Sequence, residues 1–162
     1  MIEQKIQVLA SHFTPTDEHG IPTGEIAEVD NTPFDLRERV PVKTALASSH
    51  PQLKIGNGLD HNWCLDAYQA HMKKPALAAI AIDPASGRSL KVSTTMPGMQ
   101  IYTGNYLCDN VLGKYKTAYQ AQQAFCFESQ FYPDAPNKPH FPSPILKAGE
   151  EFYSVTDFAI AF

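Results

Sequence analysis

Hydrophobic positions along this chain recur every second residue or gather in short unbroken runs, the pattern of strands rather than helices. Lys5 to Phe13 is mostly apolar at alternating positions and reads as a first strand, running into the turn-rich Thr14–Pro22. Ile26–Val29 predicts a second short strand, and Val40–Ser49 is the best stretch for a short helix. Asn57-Gly58 marks a turn before an apolar segment from Trp63 to Ala67. The clearest local signal is a hairpin. Ala76–Ile82 is continuously apolar, Asp83-Pro84-Ala85-Ser86-Gly87 is turn chemistry, and Leu90–Thr95 alternates with a period of two. Met99–Thr103 predicts a further strand. Lys116 onward begins as a polar, helical-turn-like stretch and ends in the strand Ala124–Phe131. Five prolines (133, 136, 139, 142 and 144) make the next segment an ordered loop or extended chain, and Glu151–Phe162 reads as a last strand tied into a sheet. Many short strands separated by proline-rich loops predict an all-β sandwich.

Composition narrows this further. The chain has 162 residues, enough for one domain with a real core, and no internal repeat or linker divides it. Its net charge of −4 and lack of a basic run argue against nucleic acid or an anionic membrane surface as partner. No apolar stretch approaches the ~20 residues that span a bilayer, and the N-terminal residues carry no signal-peptide pattern. Three widely spaced cysteines (Cys64, Cys108, Cys126) suit buried thiols in a reducing cytosol, so a cytoplasmic location is expected. The six histidines show no metal-ligand spacing, and GxGxxG, GxxxxGK[ST] and GxSxG are absent. No metal or cofactor is expected.

Two carboxylates stand in unusual company. Asp60 lies in Gly56-Asn57-Gly58-Leu59-Asp60-His61-Asn62-Trp63, a polar run beside an indole. A carboxylate there can accept from two vicinal hydroxyls while an aromatic ring covers a C–H face, as sugars require; equally, Asp60 can cap a turn. Glu128 sits inside the aromatic stretch Phe125-Cys126-Phe127-Glu128-Ser129-Gln130-Phe131. Desolvation there would raise its pKa toward the range useful for proton transfer; the alternative is a strand Glu on the solvent face, with Phe127 and Ser129 turned away. Tyr102, Gly104 and Asn105 read either as cleft residues or as strand-end and turn residues.

At these positions the sequence resembles the aldose 1-epimerase (galactose mutarotase) family. The matching stretches are Phe13-Thr14-Pro15-Thr16-Asp17, Gly20-Ile21-Pro22-Thr23-Gly24, Thr32-Pro33-Phe34-Asp35, Leu59-Asp60-His61-Asn62, Met99 to Leu107, Phe127 to Asn137 and Leu146 to Phe152. They are collinear along the whole chain. The resemblance covers the C-terminal half of a family member and implies part of a galactose-mutarotase-like twisted β-sandwich (supersandwich). It implies a cofactor-free isomerase that interconverts the α and β anomers of a free aldohexose such as galactose or glucose. By the resemblance Glu128 falls on the catalytic base and Asp60 on the substrate-binding aspartate; as candidate cleft residues, Tyr102 and Asn105 are also expected to bind substrate.

The family's acid is a histidine in an Asn-His-x-Tyr-Phe-Asn stretch upstream of where this sequence begins, and a second histidine and an arginine that bind the sugar lie further upstream. None has a counterpart here, and His61 does not occupy the acid's position. The expectation is therefore a chain that pairs with a separately supplied N-terminal half or with itself, or else a truncated, poorly active product. Met1 falls where the strand after the missing histidine begins, which favours a separately encoded chain. The alternative function is a non-catalytic sugar-binding or assembly half-domain. A third class, glycoside hydrolysis by Asp60 and Glu128, would need carboxyl groups ~5–9 Å apart.

Overall fold

The computed structural model describes residues 2–108 and 112–162, so Met1 lies outside the described residues. Among the described residues, ten strands form two antiparallel five-stranded sheets. The first sheet contains β1 (Lys5–Val8), β4 (Val40–Pro41), β6 (Ala76–Ile82), β7 (Ser89–Thr94) and β10 (Thr156–Ala161), in the order β10-β7-β6-β1-β4. The second contains β2 (His12–Thr14), β3 (Ala27–Glu28), β5 (Asp60–Cys64), β8 (Gly98–Tyr102) and β9 (Cys126–Gln130), in the order β3-β2-β5-β8-β9. Two short helices, α1 (Val42–Leu46) and α2 (Pro51–Gly56), precede β5. The β-rich sandwich expected from the pattern is the observed architecture.

The core follows from strand alternation. In β5 the side chains of His61 and Trp63 turn inward, as do Met99 and Ile101 from β8 and Phe13 from β2, where they meet Ile6, Val8 and Val92 of the first sheet. Trp63 donates its indole N–H to the Phe34 carbonyl at 2.8 Å, and Phe13 stacks on Phe34 at 4.2 Å. At one end the sheets are joined by hydroxyls: Thr156 Oγ1 lies 3.0 Å from Thr94 Oγ1 and 2.8 Å from Ser129 Oγ.

The hairpin of β6 and β7 forms as expected, with a register irregularity between Leu77 and Ala79. Other expectations need correction. Lys5–Phe13 is two strands in different sheets, because Asp66 accepts from both the backbone N–H and the hydroxyl of Ser11 and turns the chain there. Val40–Ser49 opens as β4, and its helix is only five residues long. The second helix, α2, was not anticipated; Pro51 fits its first turn, and His50 Nδ1 accepts from the Gln52 N–H. The strand expected over Trp63–Ala67 begins earlier, at Asp60, and ends at Cys64. Of the three thiols expected to be buried, Cys64 is; Cys108 and Cys126 are exposed.

The proline-rich segment is an ordered loop with a short 3-10 turn over Ala135–Asn137. Its Tyr132 and Phe141 rings pack edge to face at 5.2 Å and form a small cluster with Ala135 and Cys64 on the outer face of the second sheet. His140 Nε2 donates to the Gly24 carbonyl at 2.7 Å, tying this loop to the 15–24 loop. No helix among the described residues is long and apolar enough to cross a membrane.

Candidate functional site

The face of the second sheet turned away from the core is largely polar because most alternate residues of β2, β5, β8 and β9 are polar. Register places these side chains in rows. Thr14, Asn62, Gln100 and Glu128 form one row across four adjacent strands; Asp60, Tyr102 and Cys126 form the next; and His12, Cys64, Gly98 and Gln130 form a third. Asp60 and Glu128 thus share a face, separated by the single strand β8. Sheet geometry puts β5 and β9 roughly 10 Å apart.

Asp60 is half-buried and opens β5; it does not cap a turn. Gln100 Nε2 donates to Asp60 Oδ1 at 2.8 Å. Tyr102 stands opposite Asp60 in register, and its hydroxyl accepts from the Tyr106 N–H at 3.1 Å. Asp60 and Gln100 help line a cavity of about 280 Å³ with Thr16, His19, Gly56 and Tyr106. Gln100 was not singled out from the sequence. The available signal was its place as the one polar residue of Met99-Gln100-Ile101, which by alternation puts it on the Tyr102 side.

Glu128 corrects one expectation. It is an exposed residue on the outermost strand, and Phe127 and Ser129 do turn away from it, yet the face it occupies is the one that carries Asp60. Its carboxyl nevertheless sits above the usual glutamate value, raised first by partial loss of solvent and second by the negative charge of Asp60.

Asn105, expected to bind substrate, is buried. Its amide donates to the carbonyls of Gly56 at 2.8 Å and Leu59 at 2.9 Å, and its Oδ1 accepts from Thr103 Oγ1 at 2.6 Å. It holds the turn that leads into Asp60. Gly58 completes this turn at φ +140°, where a side chain would be strained and a Cβ would meet Asn105 and Thr103. Gly104, the other turn candidate, has φ +65°.

His61 points into the core. Its Nδ1 accepts from the Asp60 N–H at 3.2 Å, and its Nε2 donates to Gln52 Oε1 at 3.1 Å, which fixes one neutral tautomer. Burial, and then the nearby His50, push its pKa down to about 4. Gln52 in turn accepts from the Thr16 N–H at 2.8 Å and donates to the Thr16 carbonyl at 2.8 Å. His61 therefore braces both the Asp60 backbone and the loop beside it. Among the described residues, Thr14 Oγ1 and both amide atoms of Asn62 are buried without a hydrogen-bond partner. No group of three or more His, Cys, Asp or Glu among the described residues is arranged to hold a metal ion.

Two packed antiparallel sheets, with two carboxylates, a glutamine and a tyrosine gathered on one outer face, define a β-sandwich protein. The chain belongs to the aldose 1-epimerase family, whose model matches residues 2–159. It is 43% identical over 156 residues to a galactose mutarotase from Bos taurus, a match covering 96% of this chain and 43% of that protein. It is 35% identical to an aldose 1-epimerase from Escherichia coli (strain K12), covering 95% of this chain and 44% of that one. Among solved structures, a Lactobacillus acidophilus galactose 1-epimerase superposes with a TM-score of 0.71 at 26% identity, covering 99% of this chain and 44% of that one. An aldose epimerase homologue from C. elegans superposes with a TM-score of 0.82 at 24% identity, covering 99% of this chain and 46% of that one, and so shares the fold. The chain spans less than half the length of these relatives.

Proposed function

We propose that this chain carries the base-bearing half of an aldose 1-epimerase site and acts on a free aldohexose, such as galactose or glucose, when a second polypeptide segment supplies the acid. The observation that carries this reading is the placement of Glu128 and Asp60 on one sheet face, with the Glu128 carboxyl held above its ordinary pKa. Glu128 takes the proton from the anomeric hydroxyl. The electron pair left on that oxygen forms the carbonyl at C1, the bond from C1 to the ring oxygen breaks, and the acid protonates the ring oxygen. Rotation about C1–C2 followed by the reverse steps on the other carbonyl face gives the other anomer. Asp60 accepts from sugar hydroxyls through the carboxylate oxygen that Gln100 leaves free, and Tyr102 flanks it.

The need for a second segment is supported by the surface. β10 is an edge strand, and Phe158 (59% exposed), Ile160 (64%) and Phe162 (92%) stand open to solvent beside it or on it. A six-residue edge carrying exposed Phe158 and Ile160, with exposed Phe162 just beyond it, is a surface for strand pairing, either with an N-terminal half or with a second copy.

The test is optical rotation of freshly dissolved α-galactose, with the purified chain alone and with an N-terminal segment from a full-length relative. The reading expects a rate above buffer in the mixture and a loss of about 10²–10⁴-fold in Glu128→Gln. An unchanged rate in Glu128→Gln refutes it. Saturable sugar binding with no turnover in either sample instead supports a non-catalytic sugar-binding half-domain.

A further inference from the structure

Gln100 stands between two carboxylates and serves one of them. Glu128 is its direct partner across the β8–β9 register, whereas Asp60 is a diagonal neighbour on β5. Register alone favours Glu128, yet Gln100 Nε2 donates to Asp60 Oδ1 at 2.8 Å, and no donor among the described residues reaches the Glu128 carboxyl. The remaining contact of the amide explains the choice. Gln130, two residues beyond Glu128 on β9, donates its Nε2 to Gln100 Oε1 at 3.3 Å. An amide is a planar group with its acceptor on one side and its donors on the other. Once Oε1 is drawn toward Gln130, Nε2 is directed the other way, toward β5.

We propose that Gln130 is a positioning residue: it commits the Gln100 amide to Asp60 and so withholds a hydrogen-bond donor from Glu128. The relay makes two carboxylates on one face chemically unlike. Asp60 keeps one oxygen occupied and one free to accept, which suits a binding group. Glu128 keeps an unquenched lone pair, which suits a base, since a donor to a carboxylate stabilises its charge and lowers its basicity. The consequence for catalysis rests on the reading of Glu128 as base, but the relay can be measured without sugar or turnover.

The experiment is carboxyl-detected NMR titration of Glu128 in the full chain. In Gln130→Met the amide of Gln100 is released to share its donor with Glu128, and the Glu128 midpoint falls by about half to one pH unit. In a Gln100→Leu background the same Gln130→Met change leaves the midpoint where it was, because nothing remains to be redirected. Gln130→Asn, uncharged but too short to reach Gln100, reports the same way if the methionine variant folds poorly. A midpoint that does not fall in the folded variant overturns the proposal, as does an equal fall without Gln100. Failure of the sugar assay with this titration pattern intact would sink the catalytic reading and leave the relay standing.

Discussion

Replacing Asn105 by alanine separates a residue that touches sugar from one that holds the turn beneath it. The substitution removes two donated hydrogen bonds, to Gly56 O and Leu59 O, and one accepted from Thr103. Their losses are unequal. The Leu59 carbonyl still receives the Thr103 N–H at 3.0 Å, and the Thr103 hydroxyl can still donate to that carbonyl at 3.2 Å. The Gly56 carbonyl loses its partner inside a buried turn, and the truncated side chain leaves space behind Gly58. One stranded buried acceptor and a lost tie together amount to about 2–3 kcal/mol, a sizeable share of a typical domain's stability. Urea unfolding followed by tryptophan fluorescence, which reports on the buried Trp63, should show a lower midpoint with an unchanged slope. Sugar affinity should fall only as far as Asp60 loses its fixed position. An unchanged midpoint combined with a tenfold loss of sugar affinity would refute the argument and return Asn105 to the substrate.

Two further outcomes follow from the same geometry. His61 has a folded-state pKa of about 4, below the ordinary 6.5, so the stability it confers is complete above that ordinary value and is lost as pH falls toward 4. The loss is on the order of 3 kcal/mol; melting temperatures from pH 7 to pH 4 should show it, and His61→Gln, which takes up no proton, should flatten that part of the curve. Gly98→Ala would set a methyl group on Asn62 Oδ1 and 3.0 Å from Tyr132 Cδ1. It should lower stability by about 1–3 kcal/mol in the same urea assay, and an unperturbed midpoint would mean that Asn62 is free to move aside.

Local pattern revealed those elements whose causes are local. The β6–β7 hairpin is written in an apolar run, a turn of Asp, Pro and Gly, and a two-residue period, and it forms. The break between β1 and β2 was hidden because Asp66, which makes it, lies 55 residues from Ser11. Glu128 shows a different kind of limit. Alternation correctly opposed it to Phe127 and Ser129, but no single strand states what else lies on its face; that needs the register of β5, β8 and β9. Asn105 and Asp60 were equally polar residues near glycine turns. Only the turn's closure, with Asn105 beneath it and Asp60 beyond it in β5, distinguishes the scaffold from the surface group.

The two departures from a finished site have a common physical origin within the proposed assembly. Glu128 is more solvated than a base in an aromatic strand was expected to be, and the side chains of β10 are more exposed than a core strand's should be. Both lie on outermost strands, β9 in one sheet and β10 in the other, joined through the Ser129 and Thr156 hydroxyls. A segment that pairs along β10 would cover Phe158 and Ile160, and one that also covers the outer face of β9 would remove water from the Glu128 carboxyl. Since desolvation is already the first cause of that group's raised pKa, the cover would raise it further. Within the proposed assembly, cover over β9 therefore tunes the proton acceptor while cover over β10 shields the exposed edge.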